Sequence, residues 1–405
     1  MFSAITIRAQ SLDNVDAPID IGNLLECLLF YKTVYVVATQ KMLRQLVRAF
    51  GTDNLERLLE SQSLVILFSD EMLGIHSNAA HDLHRPIMIS SAEASPQYSL
   101  LEELKRLAVE LTGKTGKGRR IALRLEKLIP KLTFDDSFKN GLYPLLSNQP
   151  LVETAVKTIL RRLVPEFTGE VQFAPERTPD GIVVHSNLDF AALNRYYHTR
   201  VSPKHSSLSP ALMLSYVSVA ESHLYLAARQ LSELSVDPIG ADLVEARFVH
   251  LMTRSKRSEM ERHLFSELLL DDAKAIREAF NTGKVPISEV VPVIMAAGRF
   301  KDWLVKQDAD KNILREYYKE ISKGNFIDRL PGKTARWATF AGIGIMMDAV
   351  LPLGIGKAAE VMLSAVDNFF VEKMAKGWTP NQFIDEHLQP LLKKAESDPS
   401  PPKDN

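Results

Sequence analysis

The apolar pattern at the start of the chain marks an alternation of strand and helix. Ala4 to Arg8 alternates as a short strand, and Ile21 to Tyr31 carries continuous apolar character built from good helix formers. Thr33 to Ala38, T-V-Y-V-V-A, is β-branched and aromatic and reads as a buried strand. From Gln40 to Phe50 the apolar positions Met42, Leu43, Leu46, Val47 and Phe50 fall on one side of a helix, which Gly51 ends. A second short helix over Asp53 to Ser61 leads into Leu64 to Phe68, L-V-I-L-F, another buried strand. Strand, helices, strand in that order favours parallel pairing. Ile87 to Ser90 gives one more strand, and Leu100 to Leu111 an amphipathic helix.

Gly113 to Arg120 is glycine-rich and basic and reads as a flexible loop before a helix over Ile121 to Leu128. The pattern is then irregular: a helix over Leu151 to Leu163, and a hairpin of Glu170 to Phe173 with Gly181 to His185 around Pro175 and Pro179. A Ser/Pro-rich stretch, Ser202 to Ser209, marks a boundary, beyond which nearly everything is helical. Ser209 suits an N-cap and Pro210 a first helical turn, with Val217, Glu221, Leu224, Ala228 and Leu231 following at helical spacing. Further helices are expected over Ala241 to Met252, Ser258 to Leu269, Asp271 to Asn281, Ser288 to Val305 and Lys311 to Lys323. The expected organisation is an α+β or α/β domain over 1–130 and an irregular α+β segment over 131–205 packed on it. A helical domain over 206–394 and a disordered tail over 395–405 complete it.

One segment departs from ordinary soluble composition. Residues 337–374 read as two apolar helices flanking a break at Pro352, Gly354 and Gly356, with Asp348 in the first and Asp367 in the second. Glu360, Ser364 and Asp367 form a narrow polar stripe in a wide apolar surround, as in a central helix of a bundle. Asp348 opposes a permanent bilayer span, by roughly 2.5 to 3.5 kcal/mol near the centre. The pattern leaves burial in a helical core ahead of conditional contact with lipid or a partner. Trp337 at the head of this hairpin, and Trp378 and Phe383 at the corner after it, are candidate interface anchors.

Composition narrows the function classes. The chain has 405 residues, 45% hydrophobic and 24% charged, with a net charge of -1, so no global field draws it to nucleic acid or anionic lipid. Cys27 is the only cysteine, which excludes an intrachain disulfide and a cysteine-based zinc site; with leucines on both sides it reads as a small buried hydrophobe. The N-terminus lacks the features of a secretory signal, and with the lone cysteine this points to a cytoplasmic setting.

The chemical candidates are local. His76, His81, Asp82 and His84 lie within nine residues in a polar loop after a strand, where imidazoles and a carboxylate could hold a divalent metal or pair as base and acid. Lys114, Lys117, Arg119 and Arg120 could contact phosphates. The pattern from Ala108 to Thr115 loosely mimics a phosphate loop, but it starts inside a helix and cannot wrap a phosphate. Arg195 to His198, with Arg200, Lys204 and His205, mixes cations and aromatics before the helical part. No motif calls for a cofactor, divalent metal at the histidines being the one a site could hold. The leading expectation is a non-enzymatic interaction or assembly protein with an N-terminal binding domain, whose partner is a protein or a second copy, or nucleic acid through the basic loops. The alternatives are a metal-assisted hydrolase at the histidine cluster and a membrane-active effector using the hairpin.

Overall fold

A computed structural model describes residues 3–8, 18–69, 71–78, 82–90, 99–200, 207–237, 239–244, 246–247, 280–281, 285–305, 335–337, 387 and 390–391. The fold mixes helices and sheets. β1 (Ala4–Ile7), α1 (Ile21–Phe30), β2 (Thr33–Ala38), α2 (Gln40–Glu60) and β3 (Leu64–Phe68) build the start of a parallel sheet. The N-caps explain where the first two helices begin: Asp20 accepts the amide of Asn23 and Thr39 that of Met42. Gly51 breaks α2 as its sequence implies, with φ of 69° inside an otherwise helical run.

Between β3 and the return to this sheet the chain makes a second one. β4 (Glu71–Asn78) and β5 (Leu83–Ser90) form an antiparallel hairpin, and β6 (Phe173–Thr178) with β7 (Gly181–Ser186) completes the order β4-β5-β7-β6. Pro175, expected in the turn, lies within β6, which is an edge strand and can spare one ladder donor. The helices between the hairpins are α3 (Leu100–Thr112), α4 (Thr115–Leu128), α5 (Asp136–Leu146) and α6 (Gln149–Leu163). After β7 come α7 (Phe190–Arg200) and α8 (Pro210–Arg229), the latter capped by Ser209 at the amide of Leu212. The expected loop over Gly113 to Arg120 is helical from Thr115, because only Gly113, at φ of 64°, is needed to turn the chain.

α8 feeds β8 (Glu233–Val236), which lies parallel to β1, and β9 (Ala335–Trp337) adds antiparallel to β8, giving the order β3-β2-β1-β8-β9. The first sheet thus draws two strands from beyond the boundary expected near Ser202 to Ser209. Trp337, expected to open an apolar helix, has its backbone in β9. The segment expected as one helix over Ser288 to Val305 is two, α9 (Ile287–Ala296) and α10 (Gly298–Val305), separated at Ala297. Asp348, Glu360, Asp367, Trp378, Phe383 and the rest of the hairpin lie outside the described residues, as do His81, Lys204 and His205.

Both faces of the parallel sheet are covered. Ile5, Ile7, Val34, Val36, Leu64 and Ile66 pack under α1 to α4 and α9 in one apolar cluster. Val37 and Leu67 point the other way, into a second cluster with α5, α6, α8 and the inner face of the second sheet. Cys27 is buried within the first cluster, as its leucine neighbours imply.

One buried carboxylate ties the helices over the first face. Glu103 on α3 is 2% exposed and accepts from Arg44 Nη2 at 3.2 Å and Gln40 Nε2 at 3.0 Å, with Arg44 Nε and Arg106 also bonded to it. Arg48 with Glu110 and Arg124 with Glu56 extend this lacing to the outer surface. Replacing Glu103 by Ala should destabilise the fold by about 1–3 kcal/mol, the arginines being open enough to recover water. Urea denaturation checks this, and an unchanged midpoint would show that Glu103 does not tie the layer.

Candidate functional site

The order of the first sheet reverses at β1, which is flanked by β2 through a helix on one face and by β8 through α8 on the other. A crevice at such a reversal, outside the carboxyl ends of the strands, is where parallel sheets receive ligands. Arg8 stands there, immediately after β1. Strand alternation puts it on the side of Thr6, whose hydroxyl bonds to Ser232 at 2.6 Å, and so toward α8 rather than α1.

From there Arg8 Nη1 donates to Ser222 Oγ on α8. Ser222 has no exposure and donates its own proton to the Val219 carbonyl at 2.7 Å, leaving its oxygen to accept. No carboxylate pairs with Arg8 among the described residues, and desolvation pushes its guanidinium down to about 10. The adjacent His223 is 2% exposed and its Nδ1 has no partner among the described residues. Burial, and then the Arg8 charge, hold this imidazole well below its usual value. At the same edge Asp237 caps the next helical stretch, residues 239–244, by accepting the Gly240 amide at 2.8 Å.

Sequence reasoning singled out none of Arg8, Ser222, His223 and Asp237 as a site. Arg8 is simply the last polar position of a short strand. His223 interrupts M-L-S-Y-V-S-V-A-E-S-H-L-Y-L, a helix buried on so much of its surface that its polar members could have been noticed. A second desolvated cation, Lys301 on α10, is 4% exposed, with its amine pushed down to about 8 by burial and no ion pair among the described residues.

The histidine cluster is not a loop but two strands of a hairpin. His84 on β5 stands opposite Ser77 on β4, and Ser77 Oγ and His84 Nδ1 share a bond of 2.8 Å. Its Nε2 lies 3.4 Å from Asp82 Oδ1, an ion-pair contact without hydrogen-bond alignment. His76 is paired across the strands with Arg85, which puts it on the opposite face, and it is exposed where His84 is buried. No group of three potential ligands comes together among the described residues. His84 sits inward beside Ile182, and burial lowers its pKa against the pull of Asp82. Its place is that of a core histidine held across the hairpin through Nδ1.

The basic candidates remain at the surface. Lys114, Lys117, Arg119 and Arg120 are all exposed at the corner between α3 and α4, with no ion pair to any described residue. Near the other basic stretch Tyr197 is buried, Tyr196 is half-exposed, and Arg200 pairs with Glu166. No helix among the described residues is long and apolar enough to cross a membrane.

No protein-family model matches the chain, and no curated protein or solved structure is significantly similar to it. The chemistry of the sites is thus read from this chain alone.

Acid should expose the two buried imidazoles. Both have folded pKa values below 6.5, so the unfolded chain binds protons first, and the stability they contribute is complete above that pH and falls as pH drops through it. The urea midpoint should therefore decline between about pH 6.5 and 5, and His223→Gln should make the decline shallower. Equal slopes for the two proteins would rule out a buried neutral His223.

Proposed function

We propose that the chain is a non-enzymatic interaction protein whose α/β part docks on the phosphate backbone of a nucleic acid through the corner from Lys114 to Arg120. One observation carries this reading. The neighbouring cations Arg44, Arg48, Lys105, Arg106 and Arg124 each have a glutamate, while the four at the corner have none among the described residues.

Their position also costs the fold stability. Lys114 is the N-cap of α4, makes no side-chain cap bond, and is followed by a first turn without an acid. Cations at the positive end of a helix are unfavourable by about 0.3–1 kcal/mol each, less where solvent screens them. A polyanion relieves that repulsion. The corner spans about 9 Å of helix axis; duplex DNA carries roughly five phosphates over the same length. Gly118 brings the two helices together there, since a Cβ would meet Val109 Cγ2 at 2.7 Å and its backbone nitrogen at 2.8 Å. In this reading residues 206–394 supply assembly, and the setting is cytoplasmic.

Salt dependence tests it. If all four cations meet phosphates, affinity for a fluorescent duplex DNA should fall roughly 150-fold between 50 and 200 mM salt, at a slope of about 0.9 per contact. Replacing all four by alanine should abolish that binding without lowering the melting temperature. Retained affinity in the fourfold variant, or no binding by the native chain at 50 mM salt, excludes the reading.

A further inference from the structure

We infer that the carboxyl edge of the first sheet holds a binding site for a phosphorylated small molecule, in which the Arg8 guanidinium and the His223 imidazole receive the phosphoryl group. The site is separate from the basic corner and rests on different residues. Its starting point is an imbalance of charge. A guanidinium has five N–H donors, and Arg8 uses one of them on a neutral hydroxyl among the described residues.

Burying a cation without an anion is costly, and folded proteins meet that cost by pairing it. The other partly buried arginines among the described residues, Arg44 and Arg247, do so. Arg44, Arg48, Arg106, Arg124, Arg162, Arg200 and Arg247, most of them more open to water, each have a carboxylate partner. Arg8 is the partly buried arginine left without one among the described residues. Thr6, Ser222 and Ser232, which line the same side, are neutral, so the wall supplies acceptors for one donor and a counter-charge for none.

Location and shape narrow the occupant. The edge where the strand order reverses is the place at which parallel sheets receive small ligands rather than flat surfaces. Ser222 holds one arm of the guanidinium and so orients the planar fork, which matches oxyanions with two parallel donors. A carboxylate has two oxygens, and the fork would use both. His223 Nδ1 would then stay unpaired, buried and one residue from the serine that fixes Arg8. A phosphoryl group has three terminal oxygens, which serve the fork and the imidazole together. It also adds the second negative charge that lets His223 share a proton beside Arg8.

The probe is inorganic phosphate, followed by thermal melting against sodium chloride at matched ionic strength. Native protein should be stabilised saturably by phosphate, and much less by acetate. Arg8→Gln should weaken phosphate binding roughly 10- to 100-fold, the loss of charged hydrogen bonds. Without ligand the same variant should melt no lower than the native chain, because no ion pair to a described residue is lost with the charge. Arg8→Lys keeps the charge and loses the fork, and its phosphate affinity should fall between the two. The fourfold variant at the basic corner should respond to phosphate as the native protein does. The proposal fails if phosphate acts no differently from chloride, if acetate matches it, or if Arg8→Gln responds undiminished. It also fails if Arg8→Gln melts well below the native chain without ligand, the mark of a structural arginine.

Discussion

Parallel strands must be hidden on both faces, and the rest of this structure follows from meeting that requirement. β1, β2 and β3 carry side chains alternately to two apolar clusters, one under α1 to α4 and one shared with the second sheet. Each buried Val, Ile or Leu contributes about 1.5–3 kcal/mol, so neither cover is dispensable. The first cover is a layer of helices laced by Glu103. The second is made from part of the chain's long excursion between β3 and β8, over which the hairpin sheet and six helices intervene before the parallel sheet is completed.

The polar residues inside this frame divide into two kinds. Glu233 and Ser235 sit on β8 facing α1, where Tyr31 donates to Glu233 and Asn23 Nδ2 reaches Ser235 Oγ at 3.3 Å. Ser77 and His84 do the same across the hairpin. These pairs let polar residues occupy buried positions and fix which element lies against which. Arg8 and His223 differ in lying together at the carboxyl edge of the parallel sheet, each with hydrogen-bonding capacity that no described neighbour uses. Local consistency breaks down there, which is the pattern expected of a place kept for something outside the chain.

What could be read in the sequence was whatever a single element declares. T-V-Y-V-V-A and L-V-I-L-F could hardly be anything but buried strands, Gly51 and Ser209 punctuated helices by local chemistry, and both behave accordingly. The hairpin β4 and β5 was half missed because one of its faces is polar and its histidines resemble a loop. β8, E-L-S-V, carried no signal, since its Glu and Ser are buried only through partners more than 200 residues away. The helical start at Thr115 ran against its glycines, and packing at Gly118 decided the matter. Arg8 could not have been found by pattern at all. Its significance lies in the absence of a carboxylate among the described residues around it, and absence of a neighbour is visible only in three dimensions.

The position of β8 has a consequence in time. During synthesis β1 can pair with β2 as soon as both have emerged, yet its other edge waits for a strand roughly 165 residues beyond the end of β3. At about 5–20 residues per second that edge stands open for some 8–30 s, with its backbone donors and acceptors available to any passing strand. Arg8 sits at the end of that open edge. A cation placed there before any partner has formed acts as a gatekeeper for the nascent chain, discouraging the wrong strand until the right one arrives.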